Sequence, residues 1–414
     1  MNAPPSATGD EPSYDSIAWE LSHGDGYAVD YTDPEFRAPY DKAAGSQPDL
    51  FTLPDTLSGP VAFRPPLLPT INAGLNALFG RQFFALRLLN ILLMSATAGL
   101  LTWFLWREGY AAVALLAAIL FLLDVRTRLY ARALLTEAMA CLLATLLTLV
   151  MVRLSRRMNR RDIALAGVLA GLSILTRSIV VLWLPGLLIT VLWLGRRIHH
   201  QRWIQCLGRA GIFLTTALLV ILPWSIRNIR LLDTFAPMGT QGWMEISAGY
   251  SEIAVQHGGV WQNLGAAGFF DDVDTTGLTG VQRELVLADY SRAAAFSWIR
   301  RHTSKIPLLA VMKVYHEFRP HSWYEALVLV LGALGAVTTI RQRSTQIFLA
   351  LLLTNAAAIG LTWSVEGRFL VPQLFILYAL SGKGLWVFCR RLPKRDLSRR
   401  TMGRSVQLTT KQTD

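Results

Sequence analysis

The sequence predicts an all-α polytopic membrane protein with about nine transmembrane helices and an extracytoplasmic catalytic face. Three observations predict it. Hydrophobic residues make up 52% of the 414-residue chain and charged residues 16%, with mean hydropathy +0.37, which is too apolar for an ordinary soluble domain. The apolar residues come in runs long enough to cross a hydrocarbon layer. The basic residues gather in short turns between those runs, the pattern of cytoplasmic loops, so the net charge of +12 is not read as a nucleic-acid signature.

In chain order, the first eighty residues are polar and acidic. Asp10, Glu11, Asp15, Glu20, Asp25, Asp30, Asp33, Glu35, Asp41, Asp49 and Asp55 face only Arg37, Lys42 and Arg64. Ser13 to Leu21 reads as a short helix with Ile17 and Leu21 on one face, closed by His23-Gly24-Asp25-Gly26, because glycine accepts a left-handed backbone. Pro65, Pro66 and Pro69 fix an extended approach and the start of a helix. Apolar runs follow at about 83–106, 110–124, 133–152, 163–177, 178–195, 207–226, 324–340, 346–363 and 368–389, and each is read as one span. Between the sixth and seventh, residues 227–323 hold no run long enough to span. Arg283 to His302 reads there as an amphipathic helix, and Ile306 to Phe318 as a segment in the interface plane.

Orientation follows from arginine. Arg153, Arg156, Arg157, Arg160 and Arg161 flank one turn, Arg196, Arg197 and Arg202 a second, and Arg341 and Arg343 a third. The tail adds Arg390, Arg391, Lys394, Arg395, Arg399 and Arg400. If every run crosses once, all of these share the cytoplasmic side. The expected organisation is an extracytoplasmic catalytic loop over 1–81, a first part of the bundle over 82–226, and an extracytoplasmic loop over 227–323. A second part of the bundle then covers 324–389, and 390–414 form a basic cytoplasmic tail. The acidic start has no hydrophobic segment ahead of it to lead it across; either the span after it translocates it or a helix upstream of Met1 is missing, and the second is the expectation.

Several residues could carry chemistry. Asp10-Glu11 set carboxylates beside a hydrophobic bundle, where ionisation needs a cation or hydrogen-bond donors; they are candidates for a general base. Against this stands a plain acidic tail. Glu137, at the outer end of the third span, is either a cavity carboxylate or an N-terminal helix charge capped by Thr136. Arg64, Arg126, Arg128, Arg132, Arg177, Arg227 and Arg368 lie on the outer side against the positive-inside trend. Guanidinium matches phosphate with paired charged hydrogen bonds, while for most of these arginines taken singly snorkelling to head groups suffices. Arg227 and Arg368 stand out because each lies in a distinctive string, L-P-W-S-I-R-N (Leu222 to Asn228) and E-G-R-F-L-V-P (Glu366 to Pro372). Trp224 reads as an interface anchor. Asp271-Asp272-Val273-Asp274 reads as a solvated turn, and no zinc pattern is present among the histidines.

Taken together, D-E-P-S-Y with a following G-D-G-Y, R-P-P-L-L-P, T-E-A-M, L-P-W-S-I-R-N and E-G-R-F-L-V-P resemble the GT-C superfamily of membrane glycosyltransferases. The likeness is to the bacterial branch related to protein O-mannosyltransferases and the lipid A aminoarabinose transferase, and it runs from Asp10 to about Pro372. The resemblance implies an inverting transfer of a sugar from a polyprenyl-phosphate donor, on the outer face of the cytoplasmic membrane, to a lipid, glycan or protein acceptor. It implies a carboxylate in the first outer loop as base, and Asp10 is the matching position. Glu11 is the second catalytic candidate, and Tyr14, Arg64, Glu137, Arg227, Asn228 and Arg368 are expected to bind substrate. No cofactor is certain; a divalent metal ion at Asp10 and Glu137 stays open. Membrane lipids are expected partners and nucleic acid is not. The competing classes are a multi-pass transporter, disfavoured by the lack of an internal repeat, and a non-catalytic envelope-assembly subunit, which leaves the charged constellation unexplained.

Overall fold

The computed structural model describes residues 3–54, 57–278 and 280–391. Asp55 and the tail residues Lys394, Arg395, Arg399 and Arg400 lie outside the described residues. The described residues are mostly helical, with one short antiparallel strand pair, Ala28–Asp30 with Ser58–Pro60. Every apolar run lies on a helix. Among the described residues, six helices are long and apolar enough to cross a membrane: Phe83–Arg107, Glu137–Arg156, Ser178–Ile198, Trp203–Leu232, Arg343–Leu361 and Arg368–Arg390. A seventh is reached if Thr303–Phe318 and Trp323–Thr338, bent by 108°, count as one span. The expected nine is not confirmed. The runs at 110–124 and 163–177 fold as Ala111–Leu123 and Arg160–Thr176, 13 and 17 residues long. At ~1.5 Å per residue the first reaches roughly 20 Å, short of the hydrocarbon thickness.

The bundle closes on apolar side chains. Phe104, Phe348 and Phe375 meet with ring centroids 5.4 to 6.1 Å apart, tilted or edge to face. Gly167 and Gly171 lie one turn apart against backbone carbonyls of Phe213 and Ala217, so the helices Arg160–Thr176 and Trp203–Leu232 touch where a Cβ would not fit.

The two ends of the bundle differ in chemistry. At one end the arginine-rich turns are tied together. Arg156 pairs with Glu108, Ser344 Oγ donates to Glu108 at 2.8 Å, Arg343 reaches Ser155 O at 3.1 Å, and Lys383 Nζ donates to Gln342 at 2.9 Å. At the other end sit the acidic N-terminal lobe and the 227–323 segment. The helix read at Ser13 to Leu21 runs Glu11–His23 and ends on Gly24 at φ 92°, the left-handed closure expected of it. The prolines deliver the helix Leu67–Phe79, which begins directly after Pro66. The amphipathic segment is the helix Gly280–Arg301. The segment Ile306–Phe318, expected in the interface plane, buries Lys313 and Glu317 on one side. Trp224, expected as an interface anchor, is buried instead, edge-on to Tyr27 at 4.8 Å.

Candidate active site

Asp10 occupies the position before the first helix. Its side chain makes no cap bond to that helix, and Ser13 Oγ donates instead to the Asp10 carbonyl at 2.9 Å. The carboxylate is therefore free to turn toward the bundle. There Oδ1 accepts from an Arg64 terminal nitrogen at 2.8 Å and Oδ2 from an Arg368 terminal nitrogen at 2.9 Å. Two short segments bring these arginines in. Arg64 follows the strand Ser58–Pro60, lies over Phe63 and Tyr14 at 4.6 and 5.2 Å, and gives its Nε to Ser13 Oγ at 2.8 Å. Arg368 follows a left-handed turn, Glu366 at φ 47° and Gly367 at φ 95°. That turn is what aims it back into the bundle end.

Arg368 then continues the network. Its Nε donates to Glu137 Oε1, which also accepts from Arg177 at 2.6 Å. Glu137 is the first residue of its helix and is wholly buried, while its second oxygen, Oε2, has no partner among the described residues. Arg177 closes the helix Arg160–Thr176 and lies over the Phe369 ring at 5.2 Å. The result is an alternating chain, Arg64–Asp10–Arg368–Glu137–Arg177, of three cations and two anions. It carries one surplus positive charge, with guanidinium N–H groups already ordered, a setting that suits an anion with several oxygens. The Arg64 guanidinium beside Asp10, joined by that of Arg368, holds its carboxyl well below the usual range against the opposing pull of burial.

The other candidates take different places. Glu11 turns away from Arg64 and Arg368 and accepts from Leu134 N at 2.6 Å; burial pushes its carboxyl above the usual range against the pull of Arg87. Tyr14 offers Arg64 its ring face, and burial raises its hydroxyl. Arg227 and Asn228 stand outside the ion chain. Arg227 donates to Val61 O at 2.7 Å, to Tyr27 O at 3.0 Å and to Asn228 Oδ1 at 3.0 Å. It thus fastens the N-terminal lobe to the helix Trp203–Leu232, while Asn228 reaches Pro237 O at 3.4 Å. Arg126, read on the outer side, pairs with buried Asp124 at 2.9 Å. Of the two residues offered to a divalent cation, Asp10 directs both oxygens at arginines and Glu137 only its Oε1. No group of three or more His, Cys, Asp or Glu placed to hold a metal occurs among the described residues.

Sequence reasoning took Arg177 for one more outer arginine; its partner Glu137 is forty positions away, and nothing local marks the pair. It took Ser13 only for the start of a helix, and passed over Glu245, Glu284 and Glu317 altogether. A cavity of about 350 Å³ opens beside Arg64, and a second of about 340 Å³ adjoins it. The first is bordered by Gly9, Ser13, Phe63, Arg64 and Glu284, the second by Glu245, Trp261 and Asp271; they share Met244, Arg283 and Leu287. Burial raises the Glu245 carboxyl, which accepts from Trp261 Nε1.

The family model described as dolichyl-phosphate-mannose-protein mannosyltransferase matches residues 13–235, more than half of the chain. The match takes in Ser13, Tyr14, Arg64, Glu137, Arg177, Arg227 and Asn228, and stops short of Asp10, Glu11 and Arg368. No curated protein and no solved structure matches the chain.

Proposed function

Since the chain belongs to the dolichyl-phosphate-mannose-protein mannosyltransferase family, and so to the GT-C membrane glycosyltransferases, we propose that it transfers a sugar, with inversion, from a polyprenyl-phosphate donor at the end of the bundle holding Asp10. The acceptor is a lipid, glycan or protein hydroxyl. The face is the outer one of the cytoplasmic membrane, with 1–81 as the catalytic lobe and 227–323 as the second extracytoplasmic lobe. One observation carries this reading: a carboxylate held between two guanidiniums, at 2.8 and 2.9 Å, beside a cavity.

The reaction needs two things at once. The acceptor hydroxyl must lose its proton as its oxygen attacks the anomeric carbon, and the phosphate must accept the electron pair of the breaking C–O bond. In this reading Asp10 takes the proton. Arg64 and Arg368 stabilise the growing phosphate charge, with Arg177 behind them, in surroundings of low dielectric where fixed charges act strongly. The two roles are linked. While both arginines hold Asp10 it is a poor base. A donor phosphate competes for the same guanidiniums, loosens their grip, and lets the carboxylate regain basicity only when donor is present. Glu11 supports the start of the helix through Leu134. Arg227 and Asn228 hold the lobe over the site.

The test is transfer of radiolabel from defined polyprenyl-phosphate sugars by the purified chain in proteoliposomes. Transfer from a polyprenyl-phosphate sugar, abolished when Arg64 and Arg368 are both replaced by alanine, is the expected result. Transfer that persists in that double variant, or none from any such donor, defeats the reading.

A further inference from the structure

Each of the two arginines on Asp10 is flanked by backbone that a buried carboxylate from the 227–323 segment grips. Glu284, on the helix Gly280–Arg301, accepts at 2.9 Å from the N–H of Ala62, two residues before Arg64, and at 2.8 Å from Thr240 Oγ1. Glu317, on Ile306–Phe318, accepts from Phe369 N at 2.6 Å through one oxygen. Through the other it accepts from Val365 N and Ser364 Oγ, both at 2.8 Å. These residues enclose the left-handed turn that aims Arg368. Both glutamates are buried, and neither pairs with a cation among the described residues.

An unpaired buried carboxylate is costly. A glutamine of the same shape is the cheaper neutral choice, but it has only one acceptor oxygen and would set its NH₂ against a backbone N–H. Glu317 meets two N–H groups and a hydroxyl with two oxygens that only accept. That requirement explains a charge where packing alone calls for none.

We propose that Glu284 and Glu317 are positioning residues, each setting one of the two guanidiniums that hold Asp10 and meet the donor phosphate. The 227–323 segment is then a clamp for the site and not merely a connection between spans. The phosphate part of this statement rests on the function proposed above; the positioning part does not.

The experiment uses the full chain in nanodiscs and reads each arginine directly. Phenylglyoxal modifies guanidinium groups, and peptide mass spectrometry reports its rate at Arg64 and Arg368, whose side chains are 11% and 23% exposed. E317Q is expected to speed modification of Arg368 by about three- to tenfold, the effect of one lost hydrogen bond, with Arg64 unchanged; E284Q is expected to do the reverse. The milder S364A and T240V act in the same direction and serve where a glutamine variant does not fold. In transfer assays the same variants should raise the donor KM more than they lower kcat. Unchanged modification at the matched arginine overturns the proposal, and so does equal loosening of both arginines by either variant, which would mean general softening. Protection of both arginines by polyprenyl phosphate in the unmodified chain is a separate control. Its failure removes the phosphate reading and leaves the positioning result standing.

Discussion

At the scale of single residues, Asp10 and Glu11 are neighbours with opposite surroundings. Asp10 sits between guanidiniums and Glu11 faces a backbone N–H in a poorly solvated spot, which separates their acidities in opposite directions. A base is the carboxylate that touches the reacting groups, so Asp10→Asn should lower turnover by roughly 10²–10⁴-fold while donor binding persists, and Glu11→Gln should cost less. Steady-state transfer kinetics check this; near-normal turnover in Asp10→Asn removes the assignment. A second carboxyl gives a pH prediction. Glu20 is pushed up to about 7, first by burial and then by Asp30, Asp25 and Asp33. Its folded form holds a proton that the unfolded chain releases near pH ~4.3. The folded lobe is therefore favoured at low pH and loses that advantage as pH rises from the ordinary glutamate range to about 7. Glu20→Gln should flatten this part of the thermal-stability profile in detergent; an unaltered slope counts against it. The sequence made Asp10, Glu137 and Arg368 visible because each lies in a recognisable string. Local pattern alone does not join them, since Arg368 and Glu137 lie 231 positions apart; their gathering at one site was expected only through the family resemblance.

At the scale of elements, the apolar runs were readable because hydrocarbon imposes a length, and each does lie on a helix. Their crossing number was less readable. A run of apolar residues also forms helices shorter than a full span: Ala111–Leu123 has 13 residues and exposes Leu115, Leu116 and Leu123, while Arg160–Thr176 has 17 and is mostly buried. The buried sides of Gly280–Arg301 and Ile306–Phe318 were hidden for a related reason: an amphipathic pattern says that one face is covered, not that Glu284 or Glu317 reaches across to another segment. The turn before Arg368 gives an element-scale prediction. Gly367 lies at φ 95°, and the nearest atoms to an added Cβ are 3.8 Å away. Gly367→Ala therefore strains the backbone without a clash, costing about 1 kcal/mol. It should raise the donor KM by misaiming Arg368, and unchanged donor KM with lowered stability would reduce the turn to a structural role. Arg227 and Arg368 make a further contrast. Arg368→Lys loses the two-pronged contact with Asp10 and Glu137, and donor affinity should fall about ten- to a hundredfold. Arg227→Lys loses a grip on two lobe carbonyls, and should lower stability by ~0.5–1.5 kcal/mol with a smaller change in donor affinity. Equal donor effects would place both arginines at the phosphate.

At the scale of the whole molecule, the charge partition and the fold agree. The turns rich in arginine are cross-tied at one end, while the Asp10 network and both polar lobes share the other. A lipid-borne donor reaches such a site without leaving the bilayer, provided the lobes are extracytoplasmic. The chain carries its own probe for that condition. Cys141 and Cys206 are buried, whereas Cys389 is exposed near the arginine-rich end of the last helix. A membrane-impermeant maleimide should therefore leave the unmodified protein unlabelled in intact cells and label it at Cys389 once the membrane is permeabilised. Asp272→Cys adds a thiol at an exposed position of the 227–323 segment and should be labelled in intact cells. Arginine in cytoplasmic turns is the physical basis for this direction, since moving such turns across the membrane is disfavoured. Labelling of Cys389 in intact cells, with Asp272→Cys protected, would invert the protein. It would put the Asp10 network on the cytoplasmic side, and the sugar donor would then have to be presented on the inner leaflet.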